Sequence, residues 1–378
     1  MKDVYITALG THLPGPPVQN SEIETILGML GGRRSRNRAL VLKQNRIKTR
    51  HYALDQTGQP TSSNAEMAAL AVSDALLKSE VTAQDIDLLC SATTLGDVLL
   101  PGIASHVQAN LGFGPIEIAS FQSVCASAMM AIKTAWLHLK SGEHACAIAT
   151  GSEFASRYLK ASFFEQTQAV QRDGRIPMES DFLRFTLSDG AGAAVLENRP
   201  NEQGLSLKIR WIDIRSDAQR FETCMVGGQS DPASDGQPSQ FWGDYASPAD
   251  AAHDGALVLR QDFAALKRMM AVWTAHYLDL IDKKQLDISA IDHVCSHYSA
   301  HSLRVEAMEM LDKAGALILP ERWFSNIYTK GNTGSASIFM LLEELFYSGT
   351  LEAGQTILCH VPESGRCLNA LMLLEVVR

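Results

Sequence analysis

None of the seven cysteines in this 378-residue chain forms a Cys-x-x-Cys pair, and most lie in apolar runs. An odd, unpaired set argues against a disulfide framework or a zinc site and fits reduced thiols in a cytoplasmic protein. The chain also lacks any run of about 18 strongly apolar residues, so no membrane span is expected. Its uncharged window, residues 98 to 116, is broken by Pro101, Gly102, Gln108 and Asn110. The opening Met1 to Gly10 is too short and too alternating for a signal peptide and reads as a first strand. An excess of positive charge is missing as well. A net charge of −9 and a pI near 5.7 exclude general nucleic-acid or anionic-membrane binding. With 20% charged and 46% apolar residues, the composition is that of a folded globular protein.

What is present alternates between strand-like and helix-like segments, the pattern of an α/β architecture with buried strands. Ser63-Asn64-Ala65-Glu66 is a capping box opening a helix to about Lys78. Asp87 to Cys90, Ile116 to Phe121 and Ala145 to Ala149 read as short strands. Phe263, Leu266, Met270, Trp273 and Tyr277 recur at intervals of three and four, an amphipathic helix whose stripe is read as core. Residues 226 to 254, rich in Gly, Ser, Pro and Asp around Phe241, Trp242 and Tyr245, read as a lid or a dimer contact. Phe163, Phe164, Phe182 and Phe185 are candidates to line an entrance channel. Residues 33 to 50 carry eight basic and no acidic side chains, which suits a phosphate or an acidic partner, or simply a solvated face. Without interleaved aromatics, that stretch does not read as an RNA site.

The chain repeats itself. Ile86-Asp87-Leu88-Leu89-Cys90-Ser91 returns 205 positions later as Ile291-Asp292-His293-Val294-Cys295-Ser296. Cys125-Ala126-Ser127-Ala128 is echoed 208 positions later by Thr333-Gly334-Ser335-Ala336. Similar order and offset imply a duplicated half-chain, with halves 1 to 203 and 204 to 378.

The two copies differ in chemistry. Cys125 stands where an alternating strand turns into a helix opened by small residues, and unpaired N–H groups there would favour a thiolate. A thiolate exchanges readily with a thioester. Cys90, Cys146, Cys295 and Cys359 read as structural. His297 follows the strand-like run in the second copy, and Asn332 lies in a glycine-bracketed turn before a helix. A neutral imidazole and a carboxamide can both donate to one thioester oxygen and stabilise an enolate. His301 is the competing histidine. The expectation is that sulfur, imidazole and carboxamide meet around one buried cavity.

This constellation resembles the thiolase superfamily, and within it the β-ketoacyl-[acyl carrier protein] synthase III branch. Further matches are Val4 to Pro14, Arg46-Ile47-Lys48-Thr49-Arg50-His51, Ser188-Asp189-Gly190-Ala191-Gly192-Ala193, and Gly331-Asn332-Thr333. The resemblance implies a five-layered αβαβα fold of two pseudo-equivalent halves, a homodimer, and no cofactor beyond thioester substrates on coenzyme A or a carrier protein. The family's mechanism is ping-pong. By this resemblance Cys125 would accept an acyl group, and His297 and Asn332 would polarise a second thioester that attacks it. The Cys125 amide and one near Ser364 would hold the oxyanion. Arg46 and Arg50 are candidates to meet coenzyme A or a carrier protein.

The departures matter too. Ser296-His297-Tyr298-Ser299-Ala300 replaces the family's Pro-His-Gln-Ala-Asn, and Pro362 to Asn369 replaces its glycine-rich loop. Glu153 is a candidate base or a charge that ties down its loop. These changes resemble the secondary-metabolite members that condense an acyl or enoyl group with a β-ketoacyl thioester and cyclise the product to cyclohexanediones, precursors of dialkylresorcinols. The alternatives are decarboxylative condensation with malonyl-carrier protein in fatty-acid or polyketide initiation, and acyl transfer to a hydroxyl or amine. A non-catalytic partner subunit is disfavoured by the retained Cys125.

Overall fold

The computed structural model describes residues 2 to 231 and 239 to 378. Ten strands form its main sheet: β1 (Tyr5–His12), β2 (Leu88–Thr93), β3 (Glu117–Gln122), β4 (Cys146–Glu153), β5 (Gly190–Glu197), β6 (Ser206–Ser216), β7 (His293–Ser296), β8 (Trp323–Phe324), β9 (Thr356–Glu363) and β10 (Leu368–Val377). Their spatial order is β8-β7-β9-β10-β6-β1-β5-β4-β2-β3. Reading outward from the centre, the first half runs β1-β5-β4-β2-β3 and the second β6-β10-β9-β7-β8. Strand directions match pair for pair, with β2 parallel to β3 and β4, and β7 parallel to β8 and β9. The halves join where β1 pairs antiparallel with β6 at Tyr5–Lys208 and Ile6–Leu207.

Period-two alternation assigns each buried strand two different cores. Ala147 and Ala149 of β4 face a central core, whereas Cys146 and Ile148 face an outer one. The central core contains the helices α1 (Ser127–Ser141) and α2 (Ser337–Phe346), and strands of both halves contribute to it. Helix Asn64–Leu77 covers the outside of the first half, opened by the Ser63/Glu66 capping box that the sequence specifies. Helices Phe263–Asp282 and His301–Lys313 flank the second. The five layers are therefore helix, sheet, helix, sheet, helix, a thiolase-like α/β fold.

Gly10 of β1 lets helix Asn64–Leu77 approach closely, because a Cβ there would lie 2.2 Å from the Ala75 backbone nitrogen. Gly10→Ala is expected to destabilise the protein by about 1–3 kcal/mol through overpacking, measured by denaturant unfolding. Cys90, Cys146, Cys295 and Cys359 are buried and unpaired, as expected of structural thiols. No helix among the described residues is long and apolar enough to cross a membrane. Residues 226 to 254 begin in a two-residue strand, Met225–Val226, and include helix Pro248–His253. Residues 232 to 238 of that segment lie outside the described residues.

Candidate active site

Cys125 sits in the turn between β3 and α1, 5% exposed. The buried Ala126, Ser127 and Ala128 let this helix end press against the sheets. The expected thiolate-stabilising helix end is, however, already satisfied. The Ala126 N–H donates to Glu363 Oε2 at 2.9 Å, and Ser123 Oγ donates to Oε1 at 2.5 Å. A carboxylate therefore takes the favourable electrostatic position. Burial, then the fields of Glu363 and Glu153, push the Cys125 thiol well above its ordinary range. Cys125 therefore rests as a thiol, and any attack by its sulfur requires that the proton leave.

Glu153 ends β4 as Glu363 ends β9, at equivalent points of two eight-residue strands. Glu153 accepts from Thr94 N at 3.1 Å, Thr94 Oγ1 at 2.7 Å and Ser335 N at 3.1 Å. Ser335 lies in the turn that opens α2, so each half's strand-end carboxylate caps the other half's central helix. Gly334 is required here. Its φ is +53°, and a Cβ would lie 2.9 Å from Glu153 Cγ. Burial raises the Glu153 carboxyl to about 7. Of the two roles considered from sequence, these hydrogen bonds account for the loop tie. Glu363 was missed, although the duplication itself pairs it with Glu153.

Asn332 is held through its backbone, with its N–H donating to Thr186 O at 3.1 Å and its carbonyl accepting from Ser188 N at 2.8 Å. Its side-chain Oδ1 accepts from Gly334 N at 3.0 Å, which leaves the Nδ2 hydrogens for the adjoining chamber. His297, just past β7, is 3% exposed, and its Nε2 has no hydrogen-bond partner among the described residues. Burial, then neighbouring His360, lower its pKa to about 4, so the ring is neutral. His301 instead hydrogen-bonds Tyr328 Oη at 2.7 Å, and it is not among the residues lining the two chambers.

The buried space expected around these side chains is seen as two adjoining chambers that share lining residues. The first is lined by Cys125, Glu153, Asn332, Phe182 and Gln261, among others. The second is lined by His297 and His360 with Met270, Trp273 and Trp323. Ser299 and Ser364 line both and mark the junction. Ser364 also donates through Oγ to Gln261 Oε1 at 3.2 Å. His360 is fixed by a polar chain. Its Nε2 donates to Asn369 Oδ1 at 2.8 Å, and Asn369 Nδ2 contacts His276 Nδ1 at 3.1 Å. His276 Nε2 reaches Asp213 at 2.8 Å. His360 had no sequence signal, since Asn369 and His276 come together only through folding.

Three further expectations change. Arg50 is fully buried and donates to Asn20 Oδ1 at 2.7 Å and to the Phe185 carbonyl at 3.1 Å, so it ties the fold together and meets no external ligand. Arg46 is exposed, at the left-handed end (φ 54°) of helix Arg38–Asn45. The stripe of helix Phe263–Asp282, read as core alone, also walls the second chamber through Leu266, Met270, Trp273 and Tyr277. Of the four phenylalanines assigned to an entrance, Phe182 lines the first chamber, and Phe164 and Phe185 are buried in core clusters. Asp189 is buried and accepts from Ala53 N and Ser156 N, a structural role for its motif.

The chain is similar to known proteins along most of its length. Residues 91–201 match the family described as "Beta-ketoacyl synthase, N-terminal domain". Residues 281–373 match "3-Oxoacyl-[acyl-carrier-protein (ACP)] synthase III C terminal". The β-ketoacyl-[acyl-carrier-protein] synthase III of Rhodospirillum rubrum is 27% identical over 362 residues, 95% of both chains. That of Dinoroseobacter shibae is 30% identical over 228 residues, 60% of this chain and 61% of that protein. The solved structure of AbyA1, a tetronic acid condensing enzyme, matches with a TM-score of 0.77 at 23% identity, covering 98% of this chain and 99% of that one.

Proposed function

We propose that this chain, which belongs to the β-ketoacyl-[acyl-carrier-protein] synthase III family of acyl-transferring, carbon–carbon condensing enzymes, loads an acyl or enoyl group onto Cys125 and joins it to a β-ketoacyl thioester. The observation that carries this reading is Glu153, a carboxylate raised to about 7 in the chamber that holds Cys125 and Asn332. A base of that strength can remove an α-proton flanked by two carbonyls, so no decarboxylation is needed.

In the first half-reaction, the Cys125 sulfur attacks the donor thioester and the departing thiolate takes up the thiol proton. In the second, Glu153 accepts the α-proton of the β-ketoacyl thioester. The enolate oxygen receives hydrogen bonds from Asn332 Nδ2 and His297 Nε2. The carbanion attacks the acyl carbonyl on Cys125, with the Cys125 and Ser364 amides serving the oxyanion. Collapse expels the Cys125 thiolate, which recovers the proton from Glu153. Where Cys125 carries an enoyl group, the α-carbanion instead adds to the enoyl β-carbon and Glu153 returns its proton to the resulting enolate. The γ-carbon of the β-ketoacyl unit then displaces the Cys125 thiolate from the acyl carbonyl, its proton ending on that sulfur. This closes a six-membered 1,3-cyclohexanedione that keeps the carrier thioester. The names of the curated relatives favour a second reading, plain ketosynthase III activity with decarboxylation of a malonyl thioester.

The test is to incubate pure protein with acyl, malonyl and β-ketoacyl thioesters and record intact-protein and product masses. A Cys125 adduct and a ring product formed without release of carbon dioxide support the proposal; carbon dioxide release in step with product overturns it. His297→Ala and Asn332→Ala are each expected to acylate normally and to lose condensation by about 10²–10³. Undiminished condensation in single-turnover assays would remove either residue from the enolate site.

The exposed Arg46 and its basic neighbours suit coenzyme A phosphates or an acidic carrier protein. Seven free, buried cysteines fit a reducing cytoplasm. Among the described residues, strand β3 pairs only with β2, leaving its outer edge open beside the exposed Ile118, and Leu99 and Leu100 are over 80% exposed. That edge supports a homodimer. Ile118→Lys is expected to shift the species from dimer to monomer in sedimentation velocity.

A further inference from the structure

We infer that the second chamber seats a hydrophobic tail on the nucleophilic thioester, so that the enzyme joins two substrates that each carry a chain. The inference deepens the preceding reading and rests on it.

The chamber wall is hydrocarbon on both flanks. Leu266 and Met270 come from helix Phe263–Asp282, Leu303, Ala307 and Leu311 from helix His301–Lys313, and Trp323 from β8. Its two histidines add no charge, because burial holds His297 and His360 neutral at physiological pH. Among the described residues, no lysine or arginine lines either chamber. Such a space is matched by an uncharged, apolar ligand.

The position of His297 says which substrate the chamber serves. The carbonyl that His297 polarises must lie beside its Nε2, and a chain continuing from that carbonyl meets the chamber His297 lines. The group on Cys125 has its own apolar wall in the first chamber, made by Leu95, Phe182, Leu183 and Leu187. A malonyl unit ends at a carboxylate. It would leave the second chamber empty and find no cation there. The stripe Leu266, Met270, Trp273 and Tyr277 repeats along one helix face because that face must both close the core and grade the depth of this space. Methionine at its middle adapts to irregular chain contours.

The experiment measures condensation across β-ketoacyl thioesters of rising tail length, with acylation of Cys125 followed separately by intact mass. Ala307→Phe, which fills the chamber, is expected to cut condensation of long-tailed nucleophiles about ten- to two-hundredfold relative to short-tailed ones. Met270→Ala, which enlarges it, is expected to move the preference toward longer tails. A change confined to the chain length of the group loaded on Cys125, or no change with tail length in either variant, would overturn the assignment. Should Ala307→Phe fail to fold, Met270→Ala alone decides it. If wild-type protein acylates Cys125 but accepts only tail-less nucleophiles, the inference fails and acyl-cysteine chemistry stands. If Cys125 is never acylated, the preceding reading fails first.

Discussion

Cys125→Ala is expected to abolish the covalent acyl adduct and to lower turnover by roughly a thousandfold or more, since no other cysteine among the described residues lines either chamber. The side chain is small and the surrounding helix end is held by Glu363 through the Ala126 amide, so the fold should survive. Intact-mass measurement after exposure to an acyl thioester checks the adduct, and a thermal melt checks folding. Cys90, Cys295 and Cys359 make the outcome sharp, because they are fully buried and, unlike Cys125, line neither chamber. Equal acylation of wild type and variant would take Cys125 out of the mechanism.

Glu153→Gln should leave acylation intact and lower condensation by about 10²–10⁴, the usual range for loss of a general base. Because burial raises this carboxyl to about 7, wild-type condensation is expected to rise with pH through that value, while the glutamine variant shows no such limb. Stability moves the opposite way. A carboxyl whose folded-state pKa lies above its unfolded value of 4.5 contributes stability below that pH and loses it as pH rises through about 7. Its replacement should therefore remove this loss above pH 7. His297 and His360 oppose it. Their folded-state values of about 4, against 6.5 unfolded, give stability present above 6.5 and lost as pH falls through 4. Melts of wild type and Glu153→Gln across this range separate the two contributions.

The fold was readable because it is periodic and duplicated. The paired segments around Cys90 and Cys295 became β2 and β7 at corresponding places in the sheet. The site was readable where it sits on that repeat, since Cys125 and Asn332 occupy the turns that open the two central helices. What escaped depends on the third dimension. Arg50 belongs to a basic stretch and yet points inward, because Asn20 and the Phe185 carbonyl, distant in sequence, receive its guanidinium. A helix stripe with a period of three to four looks the same whether it faces packed side chains or an empty chamber. Periodicity reports which side is apolar, not what fills the space opposite. Glu363 was recoverable in principle by carrying the repeat as far as the strand ends.

Since Glu153 secures the start of α2 and Glu363 the start of α1, neither repeat contains everything its own reactive turn needs. A gene severed near residue 203 would yield two fragments, each carrying a reagent and the partner's clasp but not its own.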